Sequence, residues 1–174
     1  MTQNYQTIHG PISARPTAWN FDWKGDLKVI QGLIASYIAS KPQLELIFPE
    51  TPSIMAELRK NFEVLIVTHY PDPAGRQANL QSLGIYPQVH YDELICVGST
   101  SAKVDKIYEL RPRYYAEDAP HVIEGLIGRQ IDFDLTIYVP TTYEYSSKLP
   151  TLAPLDHISI KRYDHLSELL SLQV

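Results

Sequence analysis

From Val64 onward the chain alternates short apolar runs with stretches of helical period, and few folds accept that order. Val64-Leu-Ile-Val67 and Leu94-Ile-Cys-Val97 contain no charged or strongly polar residue. Strands covered on both faces of a parallel sheet read this way. Between and after them, residues 73–83 carry Pro at the first turn and Gly84 just past the end, an expected helix start and stop. Residues 101–110 stop before Pro112, and residues 120–127 stop at Gly128, so both are expected helices. Further strands are expected at 93–97, 114–116, 133–139 and 157–160, and a last helix at 163–172. The alternation implies an α/β fold: a doubly wound, mostly parallel sheet in a Rossmann-like three-layer α/β/α arrangement with right-handed crossovers.

Upstream the signals are weaker. Residues 1–17 are polar and include Gly10, Pro11 and Pro16, so they read as a loose extension. Residues 17–21 are a short strand candidate. Leu27, Ile30, Leu33, Ile34, Tyr37 and Ile38 recur with helical period, and Lys41-Pro42 ends that helix. Thr51 or Ser53 is expected to cap the next helix, which runs to about Asn61. A length of 174 residues fits one domain, here 18–174, with a core of its own.

Composition narrows the partners. A net charge of −5 argues against a nucleic-acid duplex. Cys96 is the only cysteine, which excludes an internal disulfide or a cysteine-based zinc site. No run approaches the ~18 apolar residues of a membrane span, and the N-terminal residues lack a signal-peptide pattern. A cytoplasmic protein is the resulting expectation.

Three polar groups interrupt the apolar order where α/β folds place their chemistry, at carboxyl ends of strands. Thr68 ends the first apolar run. Lys103 sits early in the helix after the second, and Glu117-Asp118 follow the strand at 114–116. A hydroxyl and an ammonium suit a phosphate, and an acidic pair suits a divalent cation. Lys103 is preferred to Lys106 because it lies nearer a helix N-terminus, where anions are favoured. Of the acids, Asp118 is the expected direct ligand and Glu117 the second choice. His69 adjoins the same strand end. Asp132 and Asp134 alternate with apolar residues and are expected on an exposed edge.

In order and spacing these residues resemble the haloacid-dehalogenase-like (HAD) hydrolase superfamily, closest to its small nucleotidase-like and phosphatase-like members. Thr68 matches the second motif, Lys103 the third and Glu117-Asp118 the fourth. The first motif is met by Phe21-Asp22-Trp23-Lys24-Gly25-Asp26-Leu27, set against Phe-Asp-x-Asp-Gly-Thr-Leu. The resemblance covers roughly residues 18–172. It implies that Asp22 is a nucleophile forming an aspartyl-phosphate. It also implies that Mg²⁺ is held by Asp22, the main-chain carbonyl of Lys24, Glu117 and Asp118. Thr68 and Lys103 would hold phosphate oxygens.

Lys24 replaces the family's second aspartate, which protonates the leaving group and activates water. Such steps are worth about 10²–10⁴-fold, and an ammonium is a poor base at neutral pH.

The implied activity is therefore a Mg²⁺-dependent phosphomonoesterase, nucleotidase-like in its relatives, acting on a small phosphorylated substrate. The alternative is a catalytically impaired relative that binds a phosphorylated ligand or a protein partner. Metal-free dehalogenation ranks third, since it would leave both acids unused. The gaps of 45 residues between Asp22 and Thr68 and 34 between Thr68 and Lys103 leave room only for a minimal cap, placed within 36–52. Such a pocket is open, or is closed by a second copy in a homo-oligomer.

Overall fold

A computed structural model of the chain describes residues 5–6, 13–16, 45–46, 48–141 and 156–173. Three short strands, β1 (Tyr5–Gln6), β2 (Ser13–Pro16) and β3 (Glu45–Leu46), pair antiparallel in the order β1-β2-β3. The described part of the N-terminal extension is thus paired and not loose. Strands of two to four residues are too short to print a period on the sequence. The strand expected at 17–21 and the helix expected at 27–40 lie outside the described residues.

The remainder alternates as expected: α1 (Thr51–Leu58), β4 (Leu65–Thr68), α2 (Pro73–Ser82), β5 (Glu93–Cys96), α3 (Thr100–Leu110), β6 (Tyr114–Ala116), α4 (Pro120–Gly128), β7 (Leu135–Pro140) and β8 (Ile158–Tyr163). A 3₁₀ helix, Leu166–Ser171, follows. β4 pairs β5 in parallel, and β6, β7 and β8 form a second parallel ladder with β7 central. Each crossover that is described contains a helix, as parallel neighbours require. The architecture is α/β and compatible with a Rossmann-like fold.

Register sorts the side chains onto two faces. Tyr115, Ile137 and Ile160 are paired, as are Leu135 and Ile158. These residues join Val104, Ile107, Val122, Ile123 and Leu126 of α3 and α4 in one core cluster. On the opposite face Tyr138 and Tyr163 pack with Phe48 and Ile54 at the start of the chain's α1 region and with Leu166 and Leu169 of the 3₁₀ helix. A third cluster joins Met55 of α1, Leu80 of α2, and Ile66, Ile85 and Tyr91. The two ladders share both helix layers: α1 feeds the second and third clusters, and Val67 of β4 packs against the α3–α4 cluster. β4 and β6 each keep one edge that no described strand pairs.

Local outcomes differ from expectation in instructive places. Neither Thr51 nor Ser53 caps α1 as an acceptor; their hydroxyls donate backward to the carbonyls of Phe48 (2.7 Å) and Glu50 (3.1 Å). The helix stops at Leu58. Phe48 and Thr51 are buried, so this end of the span expected to hold a cap belongs to the core. β8 runs on to Tyr163, three residues beyond the expected strand. The final helix is a six-residue 3₁₀ segment, opened by a reciprocal cap between His165 and Glu168. Asp132 and Asp134 precede β7 and are exposed, facing Arg111 and His157 respectively.

Candidate functional site

α3 begins at a cap that the sequence supplies. The Ser99 hydroxyl accepts from the Ala102 backbone N–H at 3.1 Å, satisfying one orphan donor of the first turn. That start sets Lys103 on the helix face turned to the sheet, beside the buried Val104 and Ile107. Lys106, one turn on, points outward and pairs with Glu109. Lys103 reaches the carboxylate of Glu117, with 2.6 Å between Nζ and Oε2, and both side chains are almost wholly buried.

Glu117 is saturated. Its Oε1 accepts from the backbone N–H groups of Asp118 (3.0 Å) and Ala119 (3.1 Å). Its Oε2 takes the Lys103 ammonium and a short hydrogen bond donated by the Tyr115 hydroxyl. A carboxylate offers about four lone-pair sites, and four donors fill them. Burial pushes the Glu117 carboxyl up, but Lys103, with Tyr115 and Asp118 helping, outweighs it and holds the group below its ordinary range. Tyr115 shows the other side of this contact. Burial first, and then the Glu117 charge, keep its phenol protonated well above the ordinary value. The Lys103 ammonium also lies 6.0 Å from the centre of the Tyr115 ring.

Asp118 follows Glu117, buried at the same strand end. Its carboxyl bears on that of Glu117, and its charge acts on the phenols of both Tyr115 and Tyr163. Glu117 anchors Lys103, with Asp118 buried beside it.

Thr68 ends β4, half-buried, and its hydroxyl accepts from the Tyr70 backbone N–H at 3.3 Å. His69 follows at the same strand end. Partial burial, then Lys103, and then His121 and Arg76 hold its imidazole below the ordinary value, with Glu117 acting the other way. The neutral ring is thus favoured at pH 7. His69, Lys103 and His121, which opens α4, form a basic neighbourhood above β4 and β6. Sequence reasoning passed over Tyr115 and His121. A phenol two residues before an acid is one signal for the first, since both lie on the same face of a strand.

Asp22 and Lys24 lie outside the described residues. Among the described residues no group of three or more His, Cys, Asp or Glu side chains is gathered as a metal would need. A cavity of about 570 Å³ forms an open groove between α3 and α4, lined by residues that include Ser101, Val104, His121 and Arg129. It borders the site only at His121. No described helix is long and apolar enough to cross a membrane. No protein-family model, curated protein or solved structure matches the chain.

Proposed function

We propose that the chain is a HAD-like phosphomonoesterase dependent on Mg²⁺, with a small phosphorylated substrate. The observation that carries this reading is the buried Lys103–Glu117 pair, 2.6 Å long, at the sheet end that also holds Thr68 and Asp118. Burying an ion pair costs several kcal/mol per ion before the partners offset it, so a fold has little reason to place one there for stability alone. In this reading Lys103, held by Glu117, presents its remaining N–H groups to one phosphate oxygen and the Thr68 hydroxyl donates to another. Asp118 and Asp22 hold the cation. When bound, Mg²⁺ supplies charge neutralisation between carboxylate and phosphate. Asp22 attacks phosphorus as the ester P–O bond breaks, the leaving alkoxide takes a proton from solvent water, and a second water hydrolyses the aspartyl-phosphate to release phosphate and restore Asp22. The reading requires a strand that brings Asp22 between Thr68 and Asp118, at the unpaired edges of β4 and β6.

The test is turnover of a phosphate-ester panel by the full chain with Mg²⁺. Asp22→Asn, Lys103→Met and Asp118→Asn are each expected to lower kcat by at least a hundredfold. A wild-type protein inert across the panel overturns the reading. Lys24 favours a second one, a catalytically impaired relative that binds a phosphorylated ligand or a protein partner. Lys24→Asp separates the two: a large gain in turnover marks a phosphatase scaffold short of its acid/base group, and no gain favours the binding protein.

A further inference from the structure

Tyr115 lies in β6 two residues before Glu117, and the Glu117 N–H still donates to the Tyr138 carbonyl of β7 at 3.0 Å. Strand pairing thus runs through Glu117, and the two side chains stand on one face. The Tyr115 hydroxyl donates to Glu117 Oε2, the oxygen that also takes the Lys103 ammonium. Its ring centre lies 6.0 Å from that ammonium, at the edge of the range in which a ring face attracts a cation. Three donors other than Lys103 therefore hold the carboxylate: the Tyr115 hydroxyl and the N–H groups of Asp118 and Ala119. The two N–H groups share Oε1 and leave the carboxylate plane free to turn, since the last torsion of a glutamate is soft. The Tyr115 hydroxyl, on the other oxygen, fixes that plane. Lys103 has a flexible four-carbon stem, and its ammonium is a point charge with three donors and no plane of its own. Where that ammonium stands is decided by the oxygen it meets.

We propose that Tyr115 is a positioning residue for a phosphate oxygen at Lys103: by fixing the Glu117 carboxylate it sets where the Lys103 ammonium stands, and so aims the remaining N–H groups of that ammonium. This rests on the phosphate-ester reading above, and adds to it a residue that acts through Glu117 and Lys103 without touching the substrate. A phenylalanine ring would fill the same space and keep its contact with the ammonium. The hydroxyl adds only the hold on Oε2, so Tyr115→Phe removes that hold and little else.

The test measures binding of inorganic phosphate to the full chain by titration calorimetry, at a temperature where thermal unfolding shows each protein folded. Three proteins are compared: wild type, Tyr115→Phe and Lys103→Met. The expected result is that wild type binds, Lys103→Met loses binding, and Tyr115→Phe binds about tenfold more weakly, the worth of one hydrogen bond to a charged group. A merely structural Tyr115 would lower the Tm and leave the phosphate affinity of the folded protein unchanged. That result overturns the role of Tyr115 while leaving the phosphate site standing. A second measurement needs no variant to fold: in wild type the Tyr115 hydroxyl proton, followed by nuclear magnetic resonance, is expected to shift when phosphate is added. A resonance that bound phosphate leaves in place also overturns the role. A wild-type protein that does not bind phosphate overturns the phosphate site itself, and the role of Tyr115 with it.

Discussion

The two faces of the β6-β7-β8 ladder treat polar groups in opposite ways. On the α3–α4 face the Glu117 carboxylate meets four donors, and the Tyr115 hydroxyl is spent on one of its oxygens. On the face covered by α1 and the 3₁₀ helix, the Tyr163 hydroxyl is buried with no hydrogen-bond partner among the described residues. One face satisfies its buried polar groups within the protein, while the other keeps a hydroxyl buried without such a partner among the described residues.

The strongest way to break this contrast is Glu117→Gln. Removing one partner of a buried ion pair costs about 3–5 kcal/mol, and urea unfolding should show a loss of that size. Its pH dependence sharpens the point. The folded Glu117 carboxyl lies below its ordinary value of 4.5, so its contribution is complete above about pH 4.5. The contribution is lost as pH falls toward the folded value. The stability gap between wild type and Glu117→Gln should therefore narrow in acid and stay constant from pH 5 to 8.

Tyr115→Phe removes one donor to the same charged oxygen and should cost about 1.5–3 kcal/mol, the range for hydrogen bonds to charged groups. The comparison turns on the same substitution at Tyr163, where stability should hold or rise. Opposite signs for one chemical change on two faces of a sheet are measurable by thermal unfolding. Equal losses at both positions would erase the distinction.

Packing on the α3–α4 face supplies a smaller test. A Cβ on Gly125 would stand 2.8 Å from Val104 Cγ2. Overpacking costs about 1–3 kcal/mol, and helix propensity returns at most about 1 kcal/mol. Gly125→Ala should lose about 1 kcal/mol, and adding Val104→Ala should remove the strain, which a double-mutant cycle would read as coupling. The smallest effect belongs to the exposed pair of Arg129 and Asp105 near the same groove. Breaking it by Asp105→Asn should change stability by under about 1 kcal/mol.

Much of this was legible in the chain. The uninterrupted apolar run at 64–67, the glycines after 83 and 127, and the prolines at 73 and 120 marked strands and helices to within a residue or two. Lys103 was preferred to Lys106 on position alone, and the structure turns Lys103 inward and Lys106 to solvent. The end of the chain was less readable. Tyr163 looks like the start of an amphipathic helix, because Tyr163, Leu166 and Leu169 recur with a period near three. Pairing with β7 as far as Pro140 holds Tyr163 in the strand, and the His165–Glu168 cap then opens a 3₁₀ turn.

What the sequence determined by itself was the order of strands and helices and the set of polar residues at strand ends, since period, proline and glycine act locally. What tertiary structure decided was the difference between Glu117 and Asp118. Chain neighbours of like charge carry no local signal that separates them. Only the docking of α3 against the end of β6 brings Lys103 onto the Glu117 carboxylate, and only the pairing of β8 with β7 buries the Tyr163 hydroxyl away from a partner among the described residues.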